Sequence, residues 1–412
     1  MNRRVVITGM GVVSPLGSTV DDLWQGLRSG ASGVRRITYF DTKDLTSQIA
    51  SEVTGFEPTE YIEKKELRRM DLAQQYAIVA SEQAVSMAGL KETEVDPDRA
   101  GVVIGSGIGG IATFEKQHAL LMNSGPNRVS PFFIPMMIAD MCAGLISIRL
   151  GYRGPNYATV SACSSSGHAI TDAMRIIQRG EADVMITGGS EAAITPTSLA
   201  GFCQAKALST RNDDPEHASR PFDMDRDGFV IGEGAGIVIL EEYESAKARG
   251  VEIFGEMLGA GMSGDAHHIT APHPEGIGAR RAMEVAVKDA GIELTDINYV
   301  NTHGTSTGLG DIAETKAIKQ VFGDHAAKLP CNSTKSMVGH LLGAAGAVEL
   351  ISSLLEIKYG MLHPTTNLVN PDPECDLDYV SEGTRDYTIE YGLSNSFGFG
   401  GHNISIVFGP PK

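Results

Sequence analysis

Short apolar runs recur along the whole chain, and between them the spacing of apolar positions switches to a helical period. Residues 5–8, 100–104, 183–187, 236–241, 255–261 and 297–302 read as buried strands, with closing strands near 391–395 and 403–408. Helical spacing predicts helices near 21–27 and 71–88, then over 138–150, 278–290, 311–321 and 341–359. A further helix carries Ala169, Ile170, Ala173, Met174, Ile176 and Ile177 on one face and stops at Gly180. Strands alternating with helices predict a layered α/β fold.

Residue 250 is a soft boundary between two halves, 1–250 and 251–412. No repeat shows at the level of letters, yet each half sets one reactive residue ahead of a helix rich in small residues, Cys163 in the first and His340 in the second. Residues 195–227 form a long irregular segment, and its length points to a functional loop. Asp311 and Glu314 stand at capping-box spacing.

Composition narrows the class. With 412 residues, 42% hydrophobic and 21% charged, the chain can bury two cores, and 48 glycines against 6% aromatic residues fit close backbone packing. A net charge of −17 argues against general nucleic-acid binding. Any acidic partner would have to meet a local basic patch. The five cysteines, Cys142, Cys163, Cys203, Cys331 and Cys375, are odd in number, dispersed and without C-x-x-C spacing, which fits a reducing compartment rather than a disulfide framework. The opening MNRRVVITGMGVV is interrupted by Thr8, Gly9 and Gly11 and reads as a first strand rather than a signal peptide. No apolar run approaches the roughly 18 residues of a membrane span, so the expectation is a soluble cytoplasmic protein.

The chemistry gathers at three places. Cys163 falls where a strand-like run meets a helix N-terminus, and there unpaired N–H groups and the helix dipole favour a thiolate over a thiol of pKa about 8.5. NTHGTSTGLGD sets His303 after a strand, with Thr305 and Thr307 on the next turn. NSTKSMVGHLLGAAGAVEL puts Lys335 five residues before His340, at the start of the next helix, with Glu349 inside that helix. A fourth stretch, Gly105, Gly107 and Gly110, satisfies G-x-G-x-x-G after a strand, but no second strand with a terminal acid follows, so it reads as a close-packed turn.

A cysteine and two histidines suit carbon–carbon bond formation on thioesters. The thiolate takes an acyl group, and two neutral imidazoles stabilise the enolate left when a carboxylated thioester loses CO₂. A Cys/His hydrolase would add an orienting Asn or Asp and water access. Zinc held by Cys163, His303 and His340 remains a third reading, although the spacing is no zinc signature.

The motifs VVITGMGVVSPLG, SAC at Cys163, RPFDMDRDGFVIGEGAG, NTHGTSTG, NSTKSMVGHLLGAAGAVE and SNSFGFGGHN cover essentially the whole chain. Together they resemble the β-ketoacyl-acyl carrier protein synthases, in particular the chain-elongating enzymes of bacterial type II fatty-acid synthesis. The resemblance implies a thiolase fold, two related halves in a five-layer α-β-α-β-α arrangement, and a homodimer. It implies Cys163 as nucleophile, His303 and His340 as the pair serving malonyl decarboxylation, and the N–H groups of Cys163 and Phe399 as oxyanion hole. Lys335 and Glu349 would support the histidines. Thr305 and Thr307 would bind the phosphopantetheine arm of acyl carrier protein, and Phe399 would gate an acyl pocket contacted by Ile108, Phe202, Phe229, Thr270, Phe397 and Gly400. No cofactor or metal is implied. The basic residues Lys65, Arg68 and Arg69, helped by Arg128 and Lys206, are the expected landing site for the acidic carrier. SSSG after Cys163 and Gly308 after Thr307 depart from the letters usual in the elongating enzymes and leave a polyketide or other specialised ketosynthase open. A chain-length-factor-like subunit would lack the cysteine.

Overall fold

Residues 3–91, 93 and 95–411 are described in the computed structural model of the chain. The first half supplies strands β1 (Val5–Val13), β2 (Ala100–Gly105), β3 (Asn156–Thr159), β4 (Val184–Glu191) and β5 (Gly234–Glu242). The second supplies β6 (Gly255–Gly264), β7 (Tyr299–Asn301), β8 (Cys331–Asn332), β9 (Gly392–Gly398) and β10 (His402–Gly409). They join in the order β8-β7-β9-β10-β6-β1-β5-β4-β2-β3. Outward from the centre, β1·β5 and β5·β4 are antiparallel while β4·β2 and β2·β3 are parallel. The other side repeats this: β6·β10 and β10·β9 antiparallel, β9·β7 and β7·β8 parallel. A single antiparallel contact, Val5–Ile7 against Met257–Gly255, links the two half-sheets.

The layering follows from which faces are apolar. Strands buried on both faces, such as β1 and β4, read as continuous apolar runs because helices cover each side. The helices Ser165–Gln178 and Ala345–Tyr359 lie side by side between the half-sheets and supply Ile170, Met174, Val348 and Ile351 to the central core. Leu72–Met87 covers the outer face of β1 and β5, and Ile277–Ala290 that of β6 and β10. The outer contacts are so close that a Cβ at Gly11 would come within 1.9 Å of the Ala80 carbonyl oxygen, and one at Gly261 within 2.1 Å of the Ala282 oxygen. The result is the five-layer α-β-α-β-α arrangement.

Several expectations are corrected. The helix expected over 138–150 begins at Met141, after a separate helix Phe133–Met137. A helix Ile111–Ser124 precedes both, and its inner face is the polar pair Thr113 and Gln117, so apolar periodicity did not mark it fully. Residues 195–227 are not irregular throughout: Pro196–Gln204 is a helix whose Thr195 hydroxyl caps the Ser198 N–H. Asp311 and Glu314 form no capping box, because the helix begins at Gly308 and both carboxyls turn inward to other loops. His340 does not start the long helix either, since Lys335–Val338 is a short helix of its own and the long one starts at Ala345.

Candidate active site

Each reactive side chain is placed by a backbone device, Cys163 and His303 after strands and His340 after the short helix Lys335–Val338. After β3, Ala162 adopts φ 52 and the turn Ala162–Ser164 feeds the helix Ser165–Gln178, which leaves Cys163 at its mouth. Ser165 braces that turn, its hydroxyl accepting the Ser161 N–H at 2.9 Å and donating to the Ala162 carbonyl at 2.7 Å. Ser164 donates across to the Ser396 and His402 carbonyls at 3.0 and 2.7 Å and so ties the turn to the second half. His303 follows β7, and its N–H and that of Gly304 both donate to the Glu314 carboxylate at 2.8 Å. The His340 N–H donates to the Val230 carbonyl at 2.7 Å, and the His340 ring packs edge-on against Phe229 at 5.3 Å.

These devices bring the three together. His340 Nε2 lies 2.9 Å from Cys163 Sγ, and the two imidazole rings stand nearly perpendicular with centroids 5.4 Å apart. The ligand-capable atoms of Cys163, His303 and His340 all lie within 4.8 Å of one another, so the same set could hold a metal ion. Beneath them, Lys335 Nζ donates to Glu349, and both side chains are 1% exposed. A cavity of about 250 Å³ opens above, lined by the three residues together with Ile108, Phe202, Phe229, Thr270, Thr305, Thr307, Phe397 and Phe399. The Thr305 and Thr307 hydroxyls are 3.1 Å apart.

Burial decides the protonation states. The Cys163 thiol is pushed up to about 11 by burial, against the Lys335 charge and the N–H groups of Phe399 and of Cys163 itself. That reverses the sequence expectation of a helix-lowered thiol, because desolvation of the buried sulfur outweighs the helix end. Burial first, and then the Lys335 ammonium, hold both His303 and His340 well below the usual imidazole range. Both are therefore neutral at physiological pH. Burial also raises the Glu349 carboxyl, with Lys335 opposing, and lifts Glu314 to about 7 against the N–H groups of Gly304 and His303.

Some expected residues stand elsewhere. Gly400 lies outside the cavity lining, at φ 86, with its N–H donated to the Ile269 carbonyl. Lys65, Arg68, Arg69, Arg128 and Lys206 are all exposed. Lys64–Leu67 is only a short helix, Lys65 pairs with Glu63 at 2.7 Å, and Arg69 stacks over Phe132 at 4.6 Å, next to the Pro126–Arg128 turn. Sequence reasoning missed Glu191, a fully buried carboxylate that grips the backbone beside the cavity. A lone acid inside the apolar run MITGGSEAAI was the available signal.

Known families match this arrangement. The β-ketoacyl synthase N-terminal domain matches residues 2–246 and its C-terminal domain residues 254–369. The chain belongs to the β-ketoacyl synthase family. Like other β-ketoacyl synthases it has the thiolase fold. It is 53% identical, over 98% of both chains, to 3-oxoacyl-[acyl-carrier-protein] synthase 2 of Synechocystis sp.. It is 55% identical, over 99% of this chain and 98% of the relative, to the protein of the same name from Staphylococcus aureus. Among solved structures, a type II polyketide ketosynthase in complex with its acyl-carrier protein superposes with a TM-score of 0.93 at 35% identity, covering 100% of each chain.

Proposed function

We propose that this β-ketoacyl synthase condenses an acyl group held on Cys163 with malonyl-acyl carrier protein, releasing CO₂ and 3-oxoacyl-acyl carrier protein, in fatty-acid elongation. The observation that carries the reading is one thiol and two neutral imidazoles within 4.8 Å at the floor of an apolar cavity. Identity of 53–55% to two proteins named 3-oxoacyl-[acyl-carrier-protein] synthase 2, against 35% to the polyketide ketosynthase, favours fatty-acid over polyketide chemistry.

In the first step Cys163 Sγ bonds to the acyl carbon, the bond to the pantetheine sulfur breaks, and the thiol proton ends on that sulfur. The Nε2–H of His340, 2.9 Å from Sγ, and the N–H groups of Cys163 and Phe399 stabilise the developing anions. In the second step malonyl thioester expels CO₂, and the bonding pair becomes an enolate whose oxygen faces the Nε2–H groups of His303 and His340. The enolate carbon attacks the acyl carbonyl, the oxyanion sits on the two backbone N–H groups, and collapse expels the Cys163 thiolate, which takes a proton from solvent to restore the thiol. Each donor of this kind contributes on the order of 10²–10³ in rate. Burial, helped by the charge of Lys335 in its pair with Glu349, keeps the imidazoles neutral. The reaction calls for no cofactor, since the substrates arrive on the phosphopantetheine arm. Thr305 and Thr307 hold that arm, Phe399 gates the pocket, and Ile108, Phe202, Phe229, Thr270 and Phe397 line it.

Residues 1–250 and 251–412 act as two halves around this cavity. The carrier docks on Lys65, Arg68, Arg69, Arg128 and Lys206. The exposed apolar side chains Phe114, Met122, Phe132, Ile134 and Val160 are buried by a second copy in a homodimer, since a monomer rarely exposes so many. The site is cytoplasmic, in keeping with its free cysteines, and no helix among the described residues is long and apolar enough to cross a membrane.

Incubation with acyl- and malonyl-acyl carrier protein tests the reading. It predicts an acyl adduct on Cys163, CO₂, and a product two carbons longer. An adduct elsewhere, or CO₂ release without extension by the intact protein, would overturn it.

A further inference from the structure

Glu191 ends β4 and is fully buried, yet none of its partners carries a charge. Oε1 accepts the Ser106 hydroxyl at 3.1 Å, the Ile108 N–H at 3.1 Å and the Gly109 N–H at 3.3 Å. Oε2 accepts the Gly107 N–H at 2.7 Å and the Gly343 N–H at 3.0 Å. A carboxylate this deep is tolerated only because so many donors replace its water. The donors come from both halves of the chain. One group is the turn that carries Ile108, and the other is the turn Leu342–Ala344, where Leu342 sits at φ 47. Ile108 and Leu342 both line the cavity. The two turns touch with no slack, since a Cβ at Gly343 would lie 2.3 Å from the Gly107 nitrogen and 2.7 Å from Glu191 Oε2.

We propose that Glu191 is a specificity-positioning residue: by clamping the Ile108 turn to the Leu342 turn, it fixes the spacing of two wall residues and so sets how long an acyl chain the cavity accepts. This rests on the reading of the cavity as an acyl pocket. On this proposal Ile108 lies beyond the reach of a short chain, which is then indifferent to the clamp. A longer one must pass it, so a displaced turn obstructs long chains alone.

The test follows Cys163 acylation by intact-protein mass, using thioesters of about six and about twelve carbons, which differ by several methylenes. Glu191→Gln keeps the shape but turns an amide NH₂ toward donors that need an acceptor. The long-to-short rate ratio is expected to fall at least about fivefold, equivalent to about 1 kcal/mol. In an Ile108→Ala background the same substitution should leave the ratio unchanged, because its effect runs through Ile108. Should Glu191→Gln fail to fold, Ser106→Ala removes one donor and should shift the ratio in the same direction by less. An equal loss at both lengths, or a ratio change that survives Ile108→Ala, overturns the proposal and leaves Glu191 a structural brace. Ile108→Phe in the parent protein separates the two levels of argument. If it fails to discriminate between chain lengths, the acyl-pocket reading itself fails. If it discriminates while Glu191→Gln and Ser106→Ala do not, only the role of Glu191 falls.

Discussion

The two central helices start in the same way and do different work. In the first half Ala162 at φ 52 opens the turn Ala162–Ser164 into Ser165–Gln178, and in the second Leu342 at φ 47 opens Leu342–Ala344 into Ala345–Tyr359. The second residue of the turn is Cys163 in one and Gly343 in the other. Where the first half exposes a thiol to the cavity, the second packs bare backbone against Gly107 and Glu191. Its ionisable side chains stand upstream, at Lys335 and His340. One backbone device therefore sets the Cys163 thiol at the cavity on one side and seals the wall on the other, and only the side chains differ.

The largest effect expected from breaking this comparison is at the buried ion pair Lys335–Glu349, whose carboxylate sits in the second of the two helices. Lys335→Met strands Glu349 in the core and should cost about 3–5 kcal/mol of stability, read by urea unfolding. The sign with pH is fixed. A buried carboxyl whose folded pKa is raised keeps its stability below the unfolded pKa and loses it as pH rises through the folded value, so the variant should weaken as pH rises out of the ordinary carboxylate range and level off above the folded value. Adding Glu349→Leu should recover most of the loss. A smaller effect is expected at the sealed turn. Gly343→Ala must displace the Gly107 backbone and should cost about 1–3 kcal/mol. Gly308→Ala, where a Cβ meets nothing within 4 Å, should stay within about 0.5 kcal/mol by thermal unfolding. The smallest effect lies outside both halves' cores. Reversing Lys65 and Arg69 to Glu should raise KM for carrier-bound substrate by about three- to tenfold, weaken its salt dependence, and leave short pantetheine thioesters unaffected. An equal loss with both substrates would make the patch structural.

The sequence showed the parts whose signal is local. Apolar runs marked β1, β2 and β4, helical spacing marked Ser165–Gln178, and the SAC, NTHG and KSMVGH stretches marked Cys163, His303 and His340, which the fold brings together. What it hid depends on burial or on distant partners. The helix dipole at Cys163 is visible in the letters, but the enclosure that raises its pKa to about 11 is not. Asp311 and Glu314 had capping-box spacing, and only the fold shows them turned to Phe222 and to His303. Pro196–Gln204 was legible after all, since Thr195-Pro196 is a helix-start pair that the long polar segment obscured.

The central claim is that the first half holds the acyl group and the second half drives decarboxylation. It is tested most directly by giving Cys163→Ala and His303→Ala acyl- and malonyl-acyl carrier protein, and measuring CO₂ release and the acyl adduct in the same samples. Cys163→Ala should form neither adduct nor extended product yet continue to release CO₂. His303→Ala should still acylate Cys163 and lose CO₂ release by about 10²-fold or more. Loss of the adduct in His303→Ala with CO₂ release intact would contradict the account.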